Sequence, residues 1–492
     1  MMRLTLVLLL ACGDKGGGRP VAMPMGSAGS TGSAVATPEP PNETREVWAG
    51  TLVLPADLRD IVVNFVERGG TWSATLEIPS AKITDLALAD VALEPDAIRF
   101  TLVKPSMPAA NEQFVFVRTG ATATGTLLIA GQSFPAKLVQ LKPGEAARPA
   151  IARPQTPRPP YPYGEREVTI EAPEAGVLAG TLTIPAGNGP FPAVVLISGS
   201  GQQDRDETIF GHRPFRVIAD RLTRDGFAVL RTDDRATGKT KGAIGSLETD
   251  IGDGRAAFEW LAKQPEVDPK RVGVIGHSVG GIVAPTIAAR TQKVAFVVAL
   301  AGPGVPGWEL IPMQIEAMMV AAKLPAPVAA QIARAQRAVG AAVVKGDQKA
   351  IRIALKASLV EVASATGQPK PDDAVLEAVV EQKLLEVTNA WTVSFFKSDP
   401  AAAWRKVKCP VLAVIGDKDL QVPAVINLAK TSEALKAARN RDVTTVTRPG
   451  LNHLYQHAET GSVEEYGAIE ETFDPATLEL VAKWLVEKAR KP

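Results

Sequence analysis

The sequence predicts an α/β body, a mostly parallel sheet with helices on both faces, preceded by a small all-β domain and a proline-rich linker. Three observations carry this. From about Val168 onward, apolar runs of the parallel-strand type alternate with amphipathic stretches; runs of period-two alternation fill roughly residues 45–145; and a proline-dense segment at 146–167 separates the two. The length of 492 residues exceeds what one hydrophobic core usually holds, so at least two domains are expected. With 54 Lys and Arg against 53 Asp and Glu, no net charge draws the chain toward nucleic acid or another polyanion.

The chain opens "MMRLTLVLLLACGDKGGG": one Arg3, an apolar run from Leu4 to Ala11, then Cys12. That run is too short to cross a bilayer as a helix and has the form of a signal-peptide core. "LLAC" resembles the lipobox of bacterial lipoproteins, in which the cysteine becomes the lipid-modified N-terminus. The expectation is a signal over residues 1–12, a lipid on Cys12 and a Gly/Ser/Pro-rich tether over 13–44, hence attachment to the cell envelope by the N-terminal lipid. An ordinary secretory signal with an incidental Cys12 is the alternative. Cys409 is the only other cysteine, so no disulfide framework is available, and its place at the start of an apolar run reads as a buried thiol.

Between 45 and 145, "VWAGTLVLP", "IVVNFVERGGTWSATLEIP", "AIRFTLVK", "EQFVFVRTG" and "TGTLLIAGQSFPAKLVQL" alternate with period two, and the GG and TG dipeptides punctuate hairpins. An antiparallel meander or open barrel follows. It contains no histidine and no serine in a nucleophile setting, so catalysis should lie elsewhere. The linker then favours extended, polyproline-like backbone.

In the body, "FPAVVLISGSG", "FAVLRTDDRATG", "RVGVIGHSVGG", "VAFVVALAGPG", "PVLAVIGDKD" and "VTTVTRPGLNH" read as strands, with helices such as "FRVIADRLTRDG" and "GDGRAAFEWLAKQ" between them. Each strand leads into polar or small residues, which a parallel sheet gathers along the carboxyl ends of its strands.

"GHSVG", Gly276 to Gly280, stands between the strand "VGVI" and the helix "GIVAPTIAAR". In that setting G-x-S-x-G is a sharp strand-to-helix turn that forces the serine into a strained backbone conformation and lifts its hydroxyl above the sheet. Ser278 is therefore the expected nucleophile. A hydroxyl needs a base, and the base an orienting acid. Of four histidines, His277 lies on the turn and His212 precedes it, which leaves His453 and His457. His453 follows a strand directly and is preferred; His457 reads as a neighbour. Asp417 and Asp419 both lie in the loop after "PVLAVIG" and stay open as the acid. The oxyanion hole needs two backbone N–H groups. One is expected from Val279, the other from Ser200, or its neighbour Gly201, in the loop "ISGSGQQDRDE".

Taken in order, "FPAVVLISGSGQQDRDETI", "GFAVLRTDDR", "GHSVGG", "DKDLQVP" and "NHLYQ" resemble the exported bacterial α/β-hydrolases with a serine-aminopeptidase-like catalytic domain, commonly described as esterases. The resemblance runs from about Val168 to the C-terminus. It implies an α/β-hydrolase fold, a Ser-Asp-His triad without metal, and hydrolysis of carboxylic esters through an acyl-enzyme. It also places the acid at Asp419 and makes Asp417 a solvated turn residue. Two departures stand out: "DDRATGKTKG" carries Ala236 where relatives have glycine and Thr240 where they have serine, and Val279 occupies the position where many have glutamate or methionine.

Between "VAFVVALAGPG" and "PVLAVIG" lies an insertion, about 305–404, with helical periodicity. At the catalytic face it should form a helical cap that shapes the pocket and excludes water. Met313, Met318, Met319, Phe395 and Phe396 serve equally well as helix packing, so none is assigned to binding. "DRDE", Asp204 to Glu207, reads as a charge network with Arg205 and Arg235 rather than a cation site. No phosphate loop, zinc spacing or basic aromatic patch supports a cofactor, a metal or nucleic acid, and no protein partner is evident. The expected activity is cleavage of small-molecule carboxylic esters by a serine hydrolase. An exopeptidase or amidase on the same triad, or a catalytically silent envelope binding module, is the alternative.

Overall fold

The computed structural model describes residues 43–54, 57–78, 83–102, 112–129, 132–142, 145, 153–174 and 176–490. Residues 1–12, read as a signal ending at Cys12, and nearly all of residues 13–44 lie outside the described residues. The chain divides into two compact units that meet between Ala152 and Arg153.

The first unit is all β. Its strands are β1 (Glu43–Leu54), β2 (Asp57–Arg68), β3 (Thr71–Ile78), β4 (Ile83–Ala87), β5 (Ala89–Leu93), β6 (Ala97–Leu102), β7 (Glu112–Thr119), β8 (Thr122–Ile129) and β9 (Gln132–Gln140). They form one nine-stranded sheet in the order β4-β3-β2-β1-β9-β8-β7-β6-β5. This is a meander whose first and last strands pair antiparallel, leaving β4 and β5 as the edges. The alternation that predicted the strands also sorts their faces: in β7, Phe114 and Phe116 are buried while Val115 and Val117 face out. Phe114 stacks on Phe100 with ring centroids 4.6 Å apart, inside a core that also holds Trp48 and Phe65. Gly69 and Gly70, both at positive φ, make the tight turn from β2 to β3.

The second unit begins with β10 (Gly164–Ala172), β11 (Gly176–Ile184), β12 (Phe191–Ile197), α1 (Pro214–Arg224), β13 (Ala228–Thr232), α2 (Leu247–Leu261), β14 (Val267–His277), α3 (Gly280–Thr291) and β15 (Val297–Leu300). After a helical insertion come β16 (Val411–Gly416), α10 (Ala424–Ala437), β17 (Val443–Arg448), α11 (Val463–Tyr466) and α12 (Pro475–Arg490). The eight strands order as β10-β11-β13-β12-β14-β15-β16-β17. β11 runs antiparallel to both neighbours, and from β13 to β17 every pair is parallel. This is the α/β-hydrolase fold. Both faces of the sheet are covered, as a parallel sheet requires. In β12, Ala193 and Val195 join the core under α2 and α3, while Val194 and Leu196 join the core under α1 and α12.

One boundary differs from the sequence reading. The body does not start at Val168: β10 starts at Gly164, and the described part of the proline-dense segment before it, from Arg153, is already fastened to the second unit. The Arg153 guanidinium donates to the carbonyls of Gly467, Ile469 and Phe210 at 2.7, 2.8 and 2.9 Å. Gln155 bonds Phe473 O at 2.7 Å and Thr472 N at 2.6 Å, and the Tyr163 hydroxyl donates to Asp220 at 2.7 Å. Proline density specifies an extended backbone, and an extended backbone is equally able to lie as a strap held by polar side chains.

The insertion is helical: α4 (Gly307–Ala321), α5 (Ala326–Lys345), α6 (Gln348–Ala365), α7 (Asp373–Thr388), α8 (Ala390–Phe396) and α9 (Pro400–Trp404). Trp391 donates to Asp250 at 2.7 Å and Ser394 accepts from Leu247 N at 2.9 Å, which pins α8 to the start of α2. Met319 packs among Ile315 and Ile332, and Phe395 and Phe396 are buried in the main core, so these three side chains serve helix packing. Burial pushes the Cys409 thiol up to about 12, which keeps it un-ionised and unreactive.

The loop after β13 shows what its departures at Ala236 and Thr240 do. Ala236 sits at φ +60°, the left-handed region that glycine occupies without strain. Thr240 Oγ1 accepts from Ala179 N at 2.8 Å and donates to Asp233 O at 2.9 Å, closing the loop on β11. Ala236→Gly should therefore relieve about 1 kcal/mol of backbone strain. The expected outcome is a rise of about 1–3 °C in the thermal midpoint of the second unit; an unchanged or lower midpoint in differential scanning calorimetry contradicts it.

Candidate active site

The site is built on the turn from β14 into α3. Ser278 has φ +54°, a left-handed conformation that a non-glycine residue adopts only when its surroundings impose it. The surroundings are the glycines. A Cβ on Gly276 would lie 1.9 Å from Gly280 O, and one on Gly280 would lie 2.3 Å from Ile197 O, so strand and helix approach too closely for any side chain there. Ser278 N donates to Leu300 O at 2.8 Å, anchoring the turn to the end of β15.

The two other expected members arrive on the loops after β16 and β17, at the same carboxyl edge of the sheet. His453 Nδ1 meets Asp419 Oδ2 at 2.8 Å, and both residues are buried. The carboxylate can only accept, so Nδ1 carries the proton and Nε2 is left as the basic nitrogen. Asp419 Oδ1 accepts from the amides of Gln421 and Val422 at 2.9 and 2.8 Å, which keeps its charge satisfied and its orientation fixed.

The alternatives that the sequence left open lie elsewhere. Asp417 is exposed and accepts from Gly450 N at 2.7 Å, closing the turn after β17. His457 has a side chain 64% exposed and pairs with Glu471 at 2.9 Å. Glu471, His457 and Asp474 bring ligand-type atoms within 4.8 Å of one another, but Asp474 Oδ2 is taken by Arg448 at 3.0 Å and Thr477 at 2.6 Å. His212 is buried against Tyr466 O and Gln456; burial and the Arg153 charge pull its pKa down to about 3, so it is a neutral packing residue.

The loop after β12 passes over Ser278. A Cβ on Gly199 would sit 3.2 Å from Ser278 Cβ. Gly199 N is committed to Glu207 Oε1 at 2.7 Å, so it is unavailable to a ligand. Among the described residues, no protein acceptor takes the amides of Ser200 or Val279. Asp234 braces this loop by accepting from Ser198 Oγ and Gln203 N, both at 3.0 Å.

"DRDE" is a charge network, with partners that sequence could not supply. Arg205 grips Asp233 at 2.7 Å and Glu167 at 2.8 Å; Asp206 pairs with the fully buried Arg231; and Glu207 pairs with His277 at 2.8 Å. Arg235 turns away, to Asp253 at 2.7 Å. The sequence reading passed over Glu207 and His277. The one available signal was a histidine placed directly before the nucleophile, where a side chain must point into the sheet edge.

Comparison with known proteins finds a family and several relatives. The family model described as X-Pro dipeptidyl-peptidase (S15 family) matches residues 176–455. The esterase EstD of Thermotoga maritima is 29% identical over 332 residues, covering 67% of this chain and 69% of that protein. An uncharacterized protein of Mycobacterium tuberculosis is 32% identical over 133 residues, covering 27% of this chain and 44% of its own length. Among solved structures, an esterase of Pyrococcus furiosus is similar at 19% identity and a TM-score of 0.41, over 69% of this chain and 98% of that one.

The geometry separates the paired candidates by experiment. Asp419→Asn and His453→Asn should each lower kcat by about 10³-fold or more, because the tautomer or the base is lost. Asp417→Asn and His457→Asn should stay within about threefold of wild type. Steady-state kinetics on the four variants decides this, and a large loss on the second pair would reassign the site.

Proposed function

The chain belongs to the X-Pro dipeptidyl-peptidase (S15) family, and on that premise we propose that it is a serine hydrolase acting on small carboxylic esters through an acyl-enzyme. Ser278 Oγ attacks the substrate carbonyl while His453 Nε2 takes its proton. Asp419 orients the ring and stabilises its charged form. The amides of Val279 and Ser200 receive the negative charge that develops on the carbonyl oxygen. Collapse expels the alcohol, which recovers the proton from His453, and water then repeats the cycle to release the acid. The observation that carries this reading is the buried Asp419–His453 bond, which stands at the same sheet edge as a serine held at positive φ. Similarity to an esterase favours ester over amide as the scissile bond.

A second reading follows from the family description: an exopeptidase that releases X-Pro dipeptides with the same groups. The distinction is one of pocket, because the fold hosts both chemistries. We also propose that Cys12 carries a lipid and holds the enzyme at the cell envelope, on the strength of the "LLAC" motif.

The test uses the full chain with p-nitrophenyl butyrate and Ala-Pro-p-nitroanilide across pH 5–9. Ester turnover should exceed anilide turnover in kcat/KM by about 100-fold, fall on the acid side as a general base requires, and drop about 10³-fold or more in Ser278→Ala. The reverse preference establishes the exopeptidase. Absence of both activities, with no fluorophosphonate labelling of Ser278, leaves a silent binding module. For the anchor, Cys12→Ala should move the protein from the membrane to the soluble fraction, and an unchanged distribution removes that proposal.

A further inference from the structure

One buried pair in the catalytic unit has no part in the chemistry described so far. His277, on the nucleophile turn, is buried; its Nδ1 meets Glu207 Oε1 at 2.8 Å and its Nε2 meets the carbonyl oxygen of His453 at 3.0 Å. A carboxylate and a carbonyl both accept and neither donates, so each ring nitrogen must supply a proton. A neutral ring would set a lone pair against one of the two oxygens. Glu207 Oε1 also accepts from Gly199 N at 2.7 Å. A continuous chain therefore runs from the loop bearing Ser200, through Glu207 and the His277 ring, to the backbone of His453.

We propose that Glu207 and a doubly protonated His277 form a buried ion pair that positions the reaction's two moving parts, the oxyanion loop and the base-bearing loop, relative to each other across the nucleophile turn. Both are positioning residues: neither reaches the reacting atoms, and each acts through a backbone group of a residue that does. The inference rests on the roles proposed for Ser200 and His453.

The surroundings favour the charged ring. Burial opposes it, but the Glu207 charge, its hydrogen bond and the His453 carbonyl outweigh this and raise the His277 pKa above the usual histidine value. The titratable groups facing the ring are Glu207, His453 with ring centroids 4.9 Å apart, Tyr455 at 6.5 Å, and the Asp419 carboxylate behind His453. Tyr455 stays neutral, its hydroxyl donating to Val414 O at 2.6 Å. Asp419 has the same sign as Glu207 and adds to its effect. Deprotonation as pH rises breaks one link of the chain, so catalysis should have an alkaline limb that reports His277.

Glu207→Gln tests this, because the amide oxygen still accepts from Gly199 N while the charge is gone. Its ring should be neutral at pH 7. The expected result is kcat for the ester about tenfold lower at pH 8, KM within about twofold, and an alkaline limb moved down by about one pH unit or more. Glu207→Asp keeps the charge and should keep the limb where it is in wild type. An arm independent of turnover is nitrogen-15 NMR of the full chain labelled at its four histidines, with the His277 signal identified by its loss in His277→Gln. Two protonated nitrogens on His277 at pH 7 in wild type, and one in Glu207→Gln, support the pair. A single protonated nitrogen in wild type, or an alkaline limb unmoved in a folded Glu207→Gln, overturns it. An inactive wild type would remove the ester-hydrolase reading, and the spectrum would then judge the ion pair alone.

Discussion

The close approach of β14 to α3 is the constraint from which the site follows. Gly276 and Gly280 let strand and helix meet with no side chain between them, and the chain can turn in that space only by placing Ser278 at positive φ. The serine hydroxyl is then raised clear of the sheet. The same tightness brings the loop after β12 against the turn, since Ile197 O lies where a Gly280 side chain would be. Ser278 and the loop after β12 are thus positioned by one packing event.

Asp419 and His453 depend on a second order of restraint. Their loops leave adjacent parallel strands, and buried polar side chains set the loop conformations. The Tyr455 hydroxyl donates to Val414 O on β16 and accepts from Ala301 N just after β15, both at 2.6 Å. Asn452 Oδ1 accepts from Leu454 N and Gln456 N at 3.0 and 2.9 Å, curling the backbone around His453. His453 therefore meets Asp419 with little freedom left to lose, as a rigid scaffold holds a pair in place before any ligand arrives.

Charge burial runs through the same region. Arg231 is fully buried beside Asp206, and desolvation pulls its guanidinium down to about 10. Arg205 spans Asp233 and Glu167, and Glu207 faces His277. Apart from the exposed Glu167, these are buried pairs, which add little net stability over well-packed apolar residues. What they provide is direction: together they tie the loop after β12 to β10, to β13 and the residue just after it, and to the turn that carries Ser278.

Much of this was legible in the sequence because it is written in local pattern. Period-two runs marked the β unit, apolar runs followed by polar residues marked the parallel strands, and G-x-S-x-G between strand and helix marked Ser278. That an acid would follow β16 and a histidine β17 was readable too, since each strand delivers its following loop to the same edge; the choice of Asp419 over Asp417 came only from the resemblance. Tertiary structure alone decided what depends on partners distant in the chain. Asp417 and Asp419 are two residues apart and alike in type; only the fold turns one to Gly450 N in solvent and buries the other against His453. The proline-dense segment reads as linker by composition and becomes a strap through bonds to carbonyls some 300 residues away. Glu207 and His277 are 70 residues apart, and no periodicity records that a carboxylate will be buried against an imidazole. Local sequence determines backbone shape and which face is apolar; which charges meet is decided when the sheet brings its strand ends together.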